Sequence, residues 1–247
     1  MKIGILETGR SRASLTERFG SYPDMFKALL GRADPALTFE VYPVVDGTFP
    51  AGPEDCDGWV VTGSRHGVYE DLPWMRTLKD FLLRAVDARV PVVGICFGHQ
   101  ILAEALGGRV AKSDRGWGVG IHEYEIVTPK PWMGEEERPA PLPLNAIHQD
   151  QVVELPAGVE VIARSAFCPY AMLAYGDTAM SIQAHPEFSI PYEKALLDVM
   201  RGDSVPTALA DAALERINEP DAATGSDRAA GWIVAFLRQG VERRRAS

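Results

Sequence analysis

Gly94-Ile95-Cys96-Phe97-Gly98-His99-Gln100 constrains this chain more than any other stretch. It follows the apolar run Val90-Pro91-Val92-Val93, which reads as a short buried strand. It precedes Ile101 to Leu106, which reads as a helix ending at Gly107-Gly108. A cysteine flanked by glycines between a strand and a helix is the thiol form of a nucleophile elbow. The turn is tight and strained, and the glycines are expected to keep side chains out of the path of a substrate carbonyl. The elbow lifts the sulfur above the sheet edge and sets it at a helix N-terminus, where the dipole favours a thiolate.

Most cysteines are small buried hydrophobes, and Cys56 and Cys168 read that way. Cys96 is set apart by a second segment, Ser181-Ile182-Gln183-Ala184-His185-Pro186-Glu187-Phe188. A thiol nucleophile needs a base, and the base needs a group to orient it. His185 and Glu187 supply both, just beyond the strand-like run Ala179 to Ile182, with Pro186 preventing that strand from continuing. Alone, His185 would read as a structural histidine.

Strand and helix patterns alternate through the first half. Lys2 to Leu6, Leu37 to Tyr42 and Trp59 to Thr62 read as strands, and Pro23 to Gly31 and Pro73 to Ala88 as amphipathic helices. This rhythm predicts an α/β fold with an open, mostly parallel, doubly wound sheet covered on both faces. The second half adds an antiparallel portion. Val119 to Val127 and Val159 to Arg164 are strand-like, and Ala171 to Tyr175 turns through Gly176-Asp177 into Ala179 to Ile182. Pro129 to Pro143, rich in proline and acid, reads as a surface loop. From Pro191 the pattern is helical, over Tyr192 to Met200, Val205 to Ile217 and Asp227 to Gln239. The division predicted is a domain over 1–190 and a helical C-terminal extension over 191–247.

A net charge of −9 argues against nucleic acid as a partner, and Arg243-Arg244-Arg245, the one dense basic run, reads as a solvated tail. No run reaches the ~20 apolar residues of a membrane helix, and the first residues read as a strand rather than a signal peptide. Three widely spaced cysteines make no disulfide framework, which suits a reducing cytoplasm. The chain carries no P-loop, no dinucleotide fingerprint and no metal-ligand spacing, so no metal and no other cofactor is expected.

The nucleophile and base segments together resemble the class I, or triad, glutamine amidotransferases, whose motifs are Gly-x-Cys-x-Gly-His-Gln and His-Pro-Glu. The resemblance covers roughly residues 1 to 190 and implies catalytic roles for Cys96, His185 and Glu187. An oxyanion hole is then required. Elbow geometry assigns one donor to the N–H of Phe97. The turn Thr62-Gly63-Ser64-Arg65, at the end of a strand, is the candidate for the other; Ser64 stands where the family has glycine. Gln100, one turn into the helix, matches the family's substrate-holding glutamine, or else it satisfies backbone groups at the helix end. Arg115-Gly116-Trp117-Gly118 loosely matches the family segment that walls the substrate's α-amino-acid end, which makes Arg115 and Trp117 substrate-binding candidates. His148-Gln149-Asp150 either lines the cleft or pins a loop. His99 reads as structural.

The function implied is hydrolysis of the glutamine side-chain amide through a γ-glutamyl thioester on Cys96, with ammonia released or passed to a separate synthetase subunit. The alternative is a γ-glutamyl peptidase or hydrolase with no ammonia acceptor. A non-catalytic regulatory module ranks third, because nucleophile, base and orienter are all present. The extension is expected to bury Trp232 and Phe236 against the domain and to wall one side of the cleft, rather than to serve as a dimerisation arm.

Overall fold

Alternation along each strand decides which helix it meets. The computed structural model describes residues 1–134 and 139–246. In chain order the strands are β1 (Lys2–Leu6), β2 (Thr38–Tyr42), β3 (Gly58–Val61), β4 (Val92–Ile95), β5 (Arg109–Lys112), β6 (Gly118–Ile126), β7 (Leu142–His148), β8 (Asp150–Glu154), β9 (Glu160–Arg164), β10 (Met172–Tyr175) and β11 (Ala179–Ile182). The helices are α1 (Ala13–Phe19), α2 (Tyr22–Ala33), α3 (Pro73–Asp87), α4 (Phe97–Ala105), α5 (Ile190–Met200), α6 (Thr207–Ile217) and α7 (Ser226–Ala246).

Nine strands form one sheet in the order β2-β1-β3-β4-β11-β10-β9-β6-β7. The first five are mutually parallel, and the turn between β10 and β11 starts the antiparallel remainder. Ile3, Ile5, Val60, Val93 and Ile95 project to one face, where they meet Phe26, Leu29 and Leu30 of α2 and Trp232, Ile233, Phe236 and Leu237 of α7. Leu6, Trp59, Val61 and Val92 project to the other, against Met75, Leu78, Phe81 and Leu82 of α3 and Ile101 and Leu102 of α4. Each such buried side chain contributes about 1.5–3 kcal/mol relative to exposure. The mostly parallel, doubly wound α/β sheet with an antiparallel portion and a helical C-terminal segment is the architecture expected from the pattern.

Several local expectations are corrected. Pro129 to Pro143 is not a plain surface loop. Trp132 and Met133 are buried, the Trp232 indole N–H donates to the Met133 carbonyl at 3.2 Å, and Leu142 opens β7. Residues 135–138 of that stretch lie outside the described residues. Arg243 to Arg245 are not a loose tail but the last turn of α7, with Arg243 donating to the Asp177 carbonyl at 2.9 Å and Arg245 3.6 Å from Asp57. The helix α1 and the strands β5, β7 and β8 were not anticipated. α1 buries only Leu15 among its residues, too little to leave an apolar stripe in the sequence.

The α5–α6 pair brackets the functional end of the sheet. Ser189 caps α5 by accepting the Tyr192 N–H at 3.3 Å. One side of α5 joins Leu15, Met25 and Phe188 through Tyr192, Ala195 and Leu196. The other side joins Val119 and α6 through Leu197.

Candidate active site

β4 lies between two parallel neighbours, β3 and β11, so its C-terminal end opens at the centre of the sheet. The chain reverses there at Cys96, with φ 53° and ψ −102°, a strained conformation for a residue bearing a side chain. The Cys96 N–H is satisfied by the Ile182 carbonyl at 2.9 Å, and the Cys96 carbonyl accepts the Gln100 N–H at 3.1 Å, which starts α4. The glycines serve strand–helix packing rather than substrate access. A Cβ on Gly94 would lie 2.3 Å from the Gly98 carbonyl oxygen, and one on Gly98 would lie 2.4 Å from the Val61 carbonyl oxygen. The elbow closes onto β3 only because both side chains are absent.

β11 delivers His185. Its register against β4 pairs Gly94 with Ser181 and Ile95 with Ile182. Three residues past its end, the His185 N–H donates to the Asn145 carbonyl at 2.8 Å, and the Asn145 side-chain amide donates to the Phe188 carbonyl at 2.8 Å. These two bonds fix the turn carrying His185-Pro186-Glu187. The His185 Nδ1 is 2.7 Å from Glu187 Oε1, and the imidazole also hydrogen-bonds the Cys96 side chain. Its ring stacks on Phe188 at 3.9 Å and 5°. Burial works against charge on His185, but the Glu187 carboxylate and the Cys96 sulfur override it and hold the imidazole well above its ordinary value. The structure thus brings Cys96, His185 and Glu187 into one hydrogen-bonded line.

The Gly63–Ser64 turn lies against this line. A Cβ on Gly63 would be 3.0 Å from His185 Cε1 and 3.7 Å from Cys96 Cβ. Ser64 Oγ accepts the His66 N–H at 3.3 Å. The N–H of Phe97 is the first of α4 and has no intrahelical acceptor, while the Phe97 ring is buried on the far side against Trp74. Gln100 borders the cleft, its amide donating to the Asp150 carbonyl at 2.9 Å and to Gln183 Oε1 at 3.2 Å. Trp117 also lines the cleft. Arg115 is exposed and is not among the lining residues. His148 and Asp150 line it too, with the His148 Nδ1 3.2 Å from the Asp150 carbonyl and burial pushing His148 down to about 3. His99 lies beneath the elbow, bonded to Ser181 Oγ at 2.8 Å and likewise pushed down to about 3 by burial.

Three contributions were not visible in the sequence. Thr8, just past β1, donates its hydroxyl to the Thr62 and Gly63 carbonyls at 2.8 and 3.1 Å and meets the Thr62 hydroxyl at 3.2 Å, pinning the candidate oxyanion turn. Asn145, in the stretch following the expected loop, holds the His185 turn. Glu193 on α5 is wholly buried, accepts the Gly120 N–H at 3.3 Å, and leaves its Oε2 without a partner. Burial pushes its carboxyl up to about 7, against the pull of His185. A polar residue directly after a strand end was the available signal for Thr8; a glutamate inside a helical pattern gives none.

The cleft over these groups has a volume of about 1030 Å³, and Arg10, Arg12, Lys112, Trp117, Leu196 and Met200 line it along with Cys96 and His185. Part of one wall is therefore α5. Among the described residues no cluster of three His, Cys, Asp or Glu side chains is placed to hold a metal, and no helix is long and apolar enough to cross a membrane.

Comparison with known proteins places this geometry. The profile of the family "Glutamine amidotransferase class-I" matches residues 46–198. Gamma-glutamyl peptidase 4 of Arabidopsis thaliana is 36% identical over 177 residues, 69% of each chain. A glutamine amidotransferase-like protein of Schizosaccharomyces pombe is 29% identical over 252 residues, 95% of this chain and 98% of its own. A glutamine amidotransferase from Thermotoga maritima superposes with a TM-score of 0.72 at 19% identity, covering 98% of each chain, and shares the fold. With its nucleophile elbow, its base turn and the family match spanning both, the chain belongs to the class I glutamine amidotransferases.

Proposed function

We propose that the protein is a cysteine-nucleophile hydrolase of γ-glutamyl amides, and that γ-glutamyl peptides rather than free glutamine are its principal substrates. The observation that carries the chemistry is the buried Cys96–His185–Glu187 line. His185, which Glu187 orients and stabilises as a cation, takes the proton of the Cys96 thiol. The sulfur attacks the side-chain carbonyl carbon of the γ-glutamyl group, and the N–H groups of Phe97 and of the Gly63–Ser64 turn receive the developing oxyanion. The C–N bond breaks as His185 gives its proton to the leaving amine. Water then yields a proton to His185 and attacks the thioester, the C–S bond breaks, and glutamate leaves with the thiolate restored.

The length of the cleft favours the peptide substrate. At about 1030 Å³ it far exceeds what one glutamine side chain and its α-carbon groups fill. The similarity to a γ-glutamyl peptidase supports the same choice. Amidotransfer with ammonia passed to a separate synthetase subunit is the second reading, favoured by the family itself.

Replacing Cys96 with Ala tests the chemistry. The variant is expected to lose at least a hundredfold of its glutamate release from glutamine and γ-glutamyl dipeptides, with an unchanged circular dichroism spectrum. A γ-glutamyl electrophile is expected to label Cys96 in the wild-type protein by mass spectrometry. Hydrolysis at wild-type rate by the variant overturns the proposal. A panel of glutamine, glutathione and γ-glutamyl dipeptides then separates peptidase from glutaminase.

A further inference from the structure

The cleft is lined by four cations, Arg10, Arg12, Arg65 and Lys112, and by the carboxylates of Asp46, Glu70 and Asp150. Two of these are already held: Arg10 pairs with Asp46, and Arg12 with Asp203 at 3.2 Å. Arg65 and Lys112 border the same cleft and make no ion pair with a carboxylate among the described residues. They belong to different segments of the chain, joined where Tyr69 donates to Asp150 at 3.4 Å. Lys112 stands opposite Asp150 in the β5–β8 ladder, and the Asp150 carbonyl holds Gln100. Arg65 follows Ser64 in the turn that touches Cys96 and His185. That turn is braced by β1: a Cβ on Gly9 would be 2.7 Å from the Ser64 Cα.

The chemistry of a γ-glutamyl peptide offers carboxylates to cations that have no carboxylate partner among the described residues. Such a substrate carries one carboxylate on the γ-glutamyl group and another on the amino acid that leaves. The second is two bonds from the scissile nitrogen and therefore only a few ångströms from the carbon that Cys96 attacks. Arg65, exposed two residues beyond Gly63, carries a side chain long enough to span to that position, and its planar fork matches a carboxylate bidentately. Free glutamine offers nothing at this place, because its leaving group is ammonia.

We infer that Arg65 is a specificity-determining residue that binds the carboxylate of the amino acid released from a γ-glutamyl peptide. The inference rests on the γ-glutamyl hydrolase reading above and adds to it the side of the scissile bond on which selectivity is exerted. The recognised class is a γ-glutamyl dipeptide, or a short peptide with a free carboxylate next to the cleaved bond, in preference to its carboxamide.

The experiment compares γ-glutamylglycine with γ-glutamylglycinamide, which differ only in that carboxylate. Wild-type protein is expected to favour γ-glutamylglycine in kcat/KM by about 10- to 100-fold, the discrimination of one charge-assisted hydrogen-bonding pair. Arg65→Met is expected to bring the ratio near one, mainly through KM for the dipeptide, and Arg65→Lys to leave an intermediate ratio. A wild-type ratio near one, or an unchanged ratio in Arg65→Met, overturns the inference while hydrolysis itself sustains the proposed function. Calorimetry in the Cys96→Ala background reads binding apart from turnover. Arg65-dependent preference for γ-glutamylglycine there, with no wild-type hydrolysis of either compound, removes the proposed function and keeps the carboxylate site. Equal affinity for the two compounds overturns the site.

Discussion

Glu193 shows what a single buried carboxyl does near a charged pair. It is enclosed by α5 and β6, within the influence of His185, Glu187, Tyr124 and Tyr192, and burial raises it to about 7. In the unfolded chain it titrates near 4.3. Between those values the unfolded state holds fewer protons than the folded one, so its contribution to stability is fully present below about 4.3 and falls as pH rises to about 7. Glu193→Gln keeps an acceptor for the Gly120 N–H and removes the ionisation. The variant is expected to match wild type in thermal denaturation at pH 4 and to exceed it at pH 8 by about 2–4 kcal/mol. A stability difference that does not change with pH contradicts this account. The grouping of Cys96, His185 and Glu187 was legible because a turn motif and a proline-interrupted pair carry distinctive spacing. Glu193 was not, because a glutamate on a helix ordinarily faces water, and only the docking of α5 over β6 encloses it. Thr8 was hidden for the converse reason: its role comes from two strands adjacent in space but 54 positions apart in sequence.

At the level of elements, the elbow depends on the close passage of α4 over β3. Gly98→Ala places a methyl 2.4 Å from the Val61 carbonyl oxygen, so α4 must retreat from the strand. The cost expected is about 1–3 kcal/mol or more, read as a lower denaturation midpoint, and hydrolysis is expected to fall further than stability alone dictates because the sulfur moves with the helix. Gly31→Ala, on α2 where a Cβ meets nothing within 4 Å, serves as the control and is expected to leave both readings within error. Periodicity revealed β1, β3, β4 and β11 because they are apolar throughout, as buried parallel strands are. β7 escaped because Pro141 and Pro143 flank its first residue and disguise Leu142 to His148 as a continuation of the preceding loop. β5 and β8 pair only with each other at the edge of the fold, and their mixed polarity gives no clear alternation. α7 was read as helical, while its position between α2 and Trp132 follows from long-range packing that no local pattern encodes.

Across the whole molecule, buried histidines set the response to acid. His99 and His148 are held neutral by burial, both pushed down to about 3, whereas in an unfolded chain each takes up a proton near 6.5. Their contribution is complete above about 6.5 and is lost progressively as pH falls toward about 3. Near-UV circular dichroism across an acid titration is expected to show cooperative loss of tertiary structure within that interval. His99→Gln is expected to shift the midpoint to lower pH relative to its own stability at pH 7. A midpoint that tracks only the loss of stability at pH 7 would show that His99 carries no such linkage. Glu193 acts in the opposite sense over part of the same interval, so the acid limb reports a difference between two buried types.

The pairing of β4 with β11 has a consequence in time as well as in space. The turn at Cys96 is built by residues 92–105, but the Cys96 N–H is satisfied only by Ile182, and His185 follows 89 positions after Cys96 on a turn that Asn145 steadies. A chain synthesised from its N-terminus therefore carries an unfinished elbow until that late strand closes beside it. Under the proposed function, hydrolytic competence therefore arrives only when β11 pairs with β4, and a partly folded molecule holds its thiol without its base.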